Sequence, residues 1–223
     1  MKKAQYICFE GVEGVGKSTQ TQLLVDYLKS QEYKVLQTKE PGTPLEPLTL
    51  ILRGIMLDNQ YDQVLTRSAR EFISQAIRSI HLERVIAPAL NEYDYIIQDR
   101  GILSGYAYGV ACGNNFDDIK GMARQIADAA QNTNLFNPLS IESIYDCVVY
   151  LQGDSYKCLQ KALSAKQEFE TGDAMESRGN DFMTKVASNM DTYSSTFNTV
   201  RIDVGDKTIN EVHNEILSSL NLI

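Results

Sequence analysis

The chain reads as an α/β protein in which one parallel sheet of five short strands is covered by helices on both faces. Three observations predict this. Strand-like runs recur along the sequence at Tyr6–Phe9, Tyr33–Thr38, Tyr93–Arg100, Ile144–Leu151 and Val200–Val204. Between them apolar residues return every three or four positions, the pattern of helices that bury one stripe. The first run leads straight into a glycine-rich turn and a helical pattern, as in a β-loop-α unit. Strands that alternate with helices pair in parallel and are buried on both sides.

The totals set limits on function. At 223 residues and 43% hydrophobic, the chain can bury a full core as one domain, residues 1–223, carrying a lid segment. A formal charge of −8 with no basic tract argues against nucleic acid as the main partner, so any phosphate binding must be local. Cys8, Cys112, Cys147 and Cys158 show no C-x-x-C spacing, and Cys8 and Cys147 sit in apolar runs, as reduced core residues do. Met1–Gln5 is basic but leaves too few residues before Glu10 for a signal sequence, and no run of about 18 apolar residues exists. The expectation is a cytoplasmic protein with no membrane partner.

The run from Phe9 to Thr19 fits G-x-x-x-x-G-K-[ST] and makes the fold a P-loop NTPase-type three-layer α/β/α sandwich. Gly11, Gly14 and Gly16 let the backbone bring its N–H groups close to a phosphate chain, at the positive end of the helix that begins near Lys17. Glu13 and Val15 fill the variable positions, and Thr19 follows the motif. Lys17 would reach the β- and γ-phosphates of a nucleoside triphosphate, and Ser18 would offer its hydroxyl to Mg²⁺. Leu23, Leu24, Tyr27 and Leu28 continue as a helix, and a loop from Thr38 to Pro44 then follows the second strand. Loops in that position line the ligand crevice of an open α/β sheet. Leu48, Ile51, Leu52 and Ile55 give a short helix, and Leu57–Gln63 reads as a polar surface connection.

The pattern predicts a helix from about Thr66 to Ala87 with two faces. Ala69, Phe72, Ile73, Ala76, Ile77 and Ile80 form the stripe expected to be buried; Arg67, Arg70, Ser74, Arg78 and His81 fall on another face. Such a face usually meets water, but in an acidic protein with a phosphate loop Arg78 is assigned as a ligand contact. His81 is read as a surface or packing residue. The strand Tyr93–Arg100 ends on Asp99, placed either to hold the water shell of Mg²⁺ or to cap a helix, with Arg100 beside it to neutralise a transferring phosphoryl group. Gly101, Gly105, Gly109 and Gly113 recur every fourth residue, so something must approach that backbone closely, another helix or a ligand.

Phe116–Asn134 is helical with Ile119, Met122, Ala123 and Ile126 inward, and Leu135–Ser143 connects it to the fourth strand. Cys158, Leu159, Ala162 and Leu163 mark a helix; Ala165–Gly179 is polar, lacks apolar periodicity and reads as a lid. Phe182, Val186, Met190, Tyr193 and Phe197 restore a helical stripe. Thr208–Glu211 forms a capping box opening a last helix with the stripe Ile209, Val212, Ile216, Leu217 and Leu220. A GTPase switch would need D-x-x-G and N-K-x-D, and the sequence has neither. A non-catalytic nucleotide-binding protein stays open on these residues alone.

Several separated motifs resemble those of the thymidylate kinase family. Phe9–Thr19 is similar to F-E-G-x-E-G-x-G-K-[ST]-T, and Thr38-Lys39-Glu40-Pro41-Gly42 to T-R-E-P-G. Val85–Leu90 with Asp99, Arg100 and Ser104 resembles V-I-x-P-A-L and D-R-Y-x-x-S, and Ile202–Leu217 resembles the family's last strand and helix. The resemblance implies a homodimeric nucleoside monophosphate kinase that moves the γ-phosphoryl of ATP to dTMP. Carried over by position, Lys17 and the loop amides hold ATP, Ser18 and Asp99 the metal, and Lys39 and Arg100 the acceptor phosphate and transition state. Glu13 matches an acidic loop position, Glu40 and Pro41 belong to the acceptor loop, Arg78 reads the base edge and Tyr108 lies beside the sugar.

The departures cluster on the acceptor side. Lys39 replaces an arginine, which keeps charge and loses the planar fork. Ser74 stands where the family stacks a phenylalanine on the base, Gly101 where it has tyrosine, and Gly105 where a small polar residue is common. The lid motif D-R-[IL]-E appears as Asp173-Ala174-Met175-Glu176, leaving Lys166 or Arg178 to supply the cation. Ser74, Gly101 and Gly105 together predict a wider acceptor pocket that admits another deoxynucleotide, a purine included.

Overall fold

The computed structural model describes residues 3–131, 143–165 and 173–223. Among them five strands form one parallel sheet: β1 (Gln5–Glu10), β2 (Val35–Lys39), β3 (Tyr95–Asp99), β4 (Cys147–Gln152) and β5 (Thr199–Asp203), in the order β2-β3-β1-β4-β5. Each predicted strand is present. β1 is central, with Phe9 in register with Asp99 on one side and Val149 on the other. Its Ile7, Cys8 and Phe9 are fully buried, as are Ile96, Ile97, Val148 and Val149 beside them. That is why these strands read as unbroken apolar runs.

The chain leaves β1 toward β2 at one edge and later reaches β4 on the other side, so the strand order reverses at β1. Loops at the C-terminal ends of strands flanking such a reversal form the ligand crevice. Helix α1 (Lys17–Ser30) follows β1 and buries Leu24, Val25 and Leu28. Helices α2 (Pro47–Leu57) and α3 (Arg67–His81) follow β2, and α4 (Ala87–Glu92) leads into β3. A π-helical turn over Leu82–Ile86 joins α3 to α4, so the helical run extends to Glu92 where Ala87 was the predicted end. Pro88 is tolerated because it lies in the first turn of α4, where its missing N–H is not needed. Helices α5 (Ile102–Ala111) and α6 (Phe116–Gln131) follow β3; α7 (Ser155–Ala165), α8 (Gly179–Ser194) and α9 (Ile209–Ser219) complete the layers. The α9 capping box is formed, with Thr208 and Glu211 bonding each other's backbone N–H. Ile209, expected in the α9 stripe, is 57% exposed because it occupies the first turn at the surface.

Helix α3 corrects the largest expectation. Arg70, Glu71, Gln75, Arg78 and His81 are buried with Ile77, whereas Phe72 is 63% exposed and Ala76 is exposed. The polar face packs inward because α3 lies along the crevice, where charged groups find partners. Arg70, for example, donates to Met56 O and pairs with Asp62 Oδ1 at 2.8 Å. Of the stripe expected to be buried, Ile77 is buried and Ala69, Ile73 and Ile80 are half-buried, while Phe72 and Ala76 are exposed; Leu48, Ile51 and Ile55 of α2 are exposed as well. Of the predicted lid, residues 166–172, Lys166 included, lie outside the described residues. Ala174, which follows them, is fully buried, and its N–H reaches Leu57 O at 2.9 Å.

Candidate active site

The loop after β1 turns through left-handed geometry at Gly14 (φ 76°) and Gly16 (φ 104°) before entering α1. At Gly14 a Cβ would collide with the Cys158 carbonyl, so α7 can press against the loop only because the side chain is absent. No side chain caps α1, so its first N–H groups remain directed into the crevice. Lys17 is 5% exposed, and its Nζ donates to Val12 O at 2.7 Å, which folds the side chain back over the loop. Burial and the neighbouring Arg100 charge lower its pKa to about 8, against the pull of Glu13, Asp99 and Glu10.

Ser18 Oγ donates to Asp99 Oδ2 at 2.6 Å, so the hydroxyl of α1 and the acid ending β3 meet across the crevice. Asp99 Oδ1 is buried without a hydrogen-bond partner among the described residues. A hard divalent cation takes oxygen donors of this kind, so the donor set and the unused oxygen fit Mg²⁺.

Arg100 has φ 63°, a left-handed position that swings its side chain back toward the loop. Its Nη1 donates to Gly11 O at 3.0 Å and Ser104 Oγ at 3.1 Å, its Nη2 pairs with Glu13, and its guanidinium lies 5.6 Å from the Tyr108 ring centre. Burial raises the Tyr108 hydroxyl pKa to about 12, so the phenol stays neutral. Glu10, which the sequence reading passed over, is fully buried and holds this corner together. Its Oε1 accepts from Gly101 N at 2.8 Å and Ser104 N at 3.1 Å, and its Oε2 from Ser104 Oγ at 2.5 Å. It caps α5 from the neighbouring strand, since Gly101 has no side chain to do so. Only the acid directly before the first loop glycine could have signalled this role.

The side of the crevice away from the loop, where the sequence resemblance puts the acceptor, is built on β2 and α3. Lys39, in register with Asp99, ends β2 at the crevice. Glu40 Oε1 lies 2.9 Å from His81 Nδ1, and its Oε2 lies 3.4 Å from Arg78 Nε. His81 Nε2 is 2.8 Å from Thr38 Oγ1. His81 is fully buried and ties β2 to α3, which settles it as a packing residue and corrects the surface alternative. Pro41 follows a cis peptide and lines the crevice.

One crevice of about 510 Å³ runs from Gly14, Gly16, Lys17, Ser18 and Thr19 past Glu13, Asp99 and Arg100 to Lys39, Glu40, Pro41, Ser74, Arg78, Ser104, Gly105 and Tyr108. Most residues singled out from sequence therefore meet in one place. Gly11 and Val15 shape the loop from behind. Arg178 is held elsewhere, by Asp62 Oδ1 at 2.9 Å, Ala174 O at 3.3 Å and the Phe182 ring. Lys161 on α7 lines the crevice beside the loop glycines, and Arg53 and Arg67 line its acceptor end. These three were not found from sequence, because on exposed helix faces they look like solvated cations.

The room expected from Gly101 and Gly105 is corrected, while Ser74 lines the crevice. The space left by Gly101 is taken by the Tyr145 hydroxyl, and a Cβ at Gly105 would lie 2.5 Å from Arg78 Nη2. A Cβ at Gly109 would lie 2.7 Å from Glu71 Oε2, and one at Gly113 3.4 Å from Arg67 Nη1. Beyond Gly101, the glycine repeat faces side chains of neighbouring helices, Arg78, Glu71 and Arg67 of α3 and Ile119 of α6, whose Cδ1 a Cβ at Gly109 would meet at 2.6 Å, so the expected close approach of another helix is present.

The model of the thymidylate kinase family matches residues 9–216. A thymidylate kinase of Thermosipho africanus is 31% identical, with 96% of each chain covered. One of Finegoldia magna is 27% identical over 96% of this chain and 97% of its own length. Solved thymidylate kinases of Ehrlichia chaffeensis and Candida albicans both superpose with a TM-score of 0.68 at 23% identity, covering 98% and 99% of this chain, and 99% and 92% of their own. The loop, the Ser18–Asp99 contact and the cation-lined acceptor end thus occur in a chain whose whole length follows one pattern, and it belongs to the thymidylate kinase family.

Proposed function

We propose that the chain transfers the γ-phosphoryl of ATP to dTMP, giving dTDP and ADP, with Mg²⁺ held by Ser18 and Asp99. The observation that carries this reading is the continuity of the crevice: a phosphate loop opens directly onto a second end lined by Lys39, Arg78 and Arg100. Lys17 and the loop amides hold the β- and γ-phosphates of the donor. Lys39, with Arg53, holds the acceptor phosphate, whose oxygen attacks the γ-phosphorus as the bond to the ADP oxygen breaks. Arg100, fixed by Gly11 O, Ser104 and Glu13, stands between the two ends and stabilises the charge on the migrating group. Mg²⁺, when bound, neutralises donor phosphate charge. Positioning does most of the remaining work.

Arg78 reads the base edge, and Tyr108 borders the sugar. Lys161 faces the donor phosphates from α7 and supplies a cation there, while Arg178 is held by Asp62. The exposed apolar residues Leu48, Ile51 and Ile55 of α2 and Phe72 of α3 form the face through which two copies pair. The protein works in the cytoplasm, where both nucleotides are available.

Product analysis after incubation with ATP, Mg²⁺ and each monophosphate in turn tests the reaction. It should show dTDP, and Lys17→Ala should lower the rate by about 10²–10³-fold or more. Absence of dTDP from the wild type would refute the proposal. For the assembly, sedimentation should give a dimer that Phe72→Glu dissociates; a monomeric wild type at micromolar concentration rejects the interface.

A further inference from the structure

Glu71 and Arg78 stand two turns apart on the inner face of α3, with Gln75 between them. Gln75 Nε2 donates to Glu71 Oε1 at 2.7 Å, and Arg78 Nη1 donates to Gln75 Oε1 at 2.9 Å. The three side chains are 7%, 4% and 2% exposed, so they form a fixed row. The bridge uses one oxygen of Glu71 and one amino group of Arg78. The other ends, Glu71 Oε2 and Arg78 Nη2, face α5 at Gly109 and Gly105, which are one turn and about 6 Å apart. Neither atom has a hydrogen-bond partner among the described residues. Both side chains line the acceptor end of the crevice with Ser74 and Tyr108.

A buried carboxylate with an open oxygen is an acceptor, and the guanidinium beside it is a donor. An acceptor and a donor held in this order match a base edge that carries a ring N–H next to a carbonyl. They oppose an edge that carries a bare ring nitrogen next to an amino group, because each protein group then meets its own kind. Thymine has the first edge and cytosine the second. Ser74 strengthens the case, since it offers no aromatic plane and leaves orientation of the base to its polar edge.

We propose that Glu71 is a specificity-determining residue: its carboxylate accepts the N3–H of thymine while Arg78 donates to the neighbouring O4. The pair selects dTMP against dCMP. The assignment rests on dTMP being the acceptor.

The test compares kcat/KM for dTMP and N3-methyl-dTMP in the wild type, Glu71→Gln and Glu71→Leu, with thermal melts to confirm folding. The wild type should prefer dTMP by about 100-fold or more, because methylation removes the hydrogen and leaves a buried charge unmatched. Glu71→Leu should lower dTMP turnover and cut the preference below about tenfold, and Glu71→Gln, which keeps an acceptor oxygen, should fall between. A purely structural role would depress both substrates in parallel and leave the ratio unchanged, which overturns the assignment. A wild type that barely distinguishes the two substrates overturns it as well. A wild type that makes no dTDP fails at the earlier step and refutes the dTMP reading itself.

Discussion

Glu40→Gln removes one negative charge and almost no volume from a position where a buried arginine and a buried histidine meet. Glu40 is 7% exposed and lies 2.9 Å from His81 Nδ1 and 3.4 Å from Arg78 Nε. Burial alone would raise its pKa, but Arg78 and His81 outweigh that and hold it below the usual carboxylate value, so it is ionised at neutral pH. A hydrogen bond to a charged group is worth about 1.5–3 kcal/mol, and a neutral one about half as much. Downgrading the His81 hydrogen bond and neutralising the buried ion pair with Arg78, whose Nε makes no hydrogen bond among the described residues, therefore removes about 2–3 kcal/mol. At about 2–4 °C per kcal/mol for a domain of this size, the melting temperature should fall by about 5–10 °C. Arg78 then loses an anchor that fixes its guanidinium in the crevice, where it is proposed to read the base. The KM for dTMP should rise roughly tenfold with kcat changed less than about threefold, as expected when a binding contact held in both ground and transition states is weakened. Differential scanning fluorimetry and steady-state kinetics read both effects. A melting shift under about 2 °C together with an unchanged KM would show that neither contact matters.

Two more outcomes follow from the geometry. Gly105→Ala should leave the melting temperature unchanged or slightly raised, since alanine favours the helix by about 1 kcal/mol. Its Cβ would nevertheless sit 2.5 Å from Arg78 Nη2 and move that end of the side chain while its Nη1 and Nε contacts stay in place, raising KM for dTMP about fivefold or more; a wild-type KM would show that Arg78 does not need that space. Lys17, with a pKa lowered to about 8, is mostly neutral at pH 9 in the free protein. Nucleotide phosphates favour its charged form, so MgATP binding at pH 9 should take up roughly 0.9 proton, measured by calorimetry in buffers of different ionisation enthalpy. No uptake, or a net release, would place Lys17 away from the phosphates.

The sheet was legible because its central strands are buried on both faces and keep no polar alternation to confuse the reading. The phosphate loop was legible because its glycines and Lys17 are set by backbone geometry that tolerates few substitutes. Asp99 and Arg100 were found for the same reason, at the end of a central strand. The acceptor side was harder to read. Periodicity locates the apolar stripe of α3 but assumes that only this stripe turns inward, and the assumption fails where a helix borders a charged crevice: Ile77 is buried, yet Phe72 and Ala76 are exposed while the polar face is buried too. Gly101 and Gly105 suggested empty space because a sequence shows what a residue lacks and not what a distant one places there. Tyr145 and Arg78 come from elsewhere in the chain to fill it. Glu10 and His81 act through partners far away in sequence, which no local pattern encodes.

The inward polar face of α3 bears on how mutational screens of this protein should be interpreted. Along that helix, a survey scored only by soluble expression would keep variants in which Glu71 and Gln75 are replaced together by apolar residues, because replacing a whole buried polar set can match or exceed its stability, whereas a change at Arg78 alone strands Glu40 and lowers it. Such variants would accumulate among the survivors while losing the means to choose a base. Changes at Phe72 or Ala76 would carry the opposite signature, sparing the chemistry while altering how the protein behaves on dilution. A map of tolerance for α3 is therefore informative only when selection reads nucleotide choice and abundance separately.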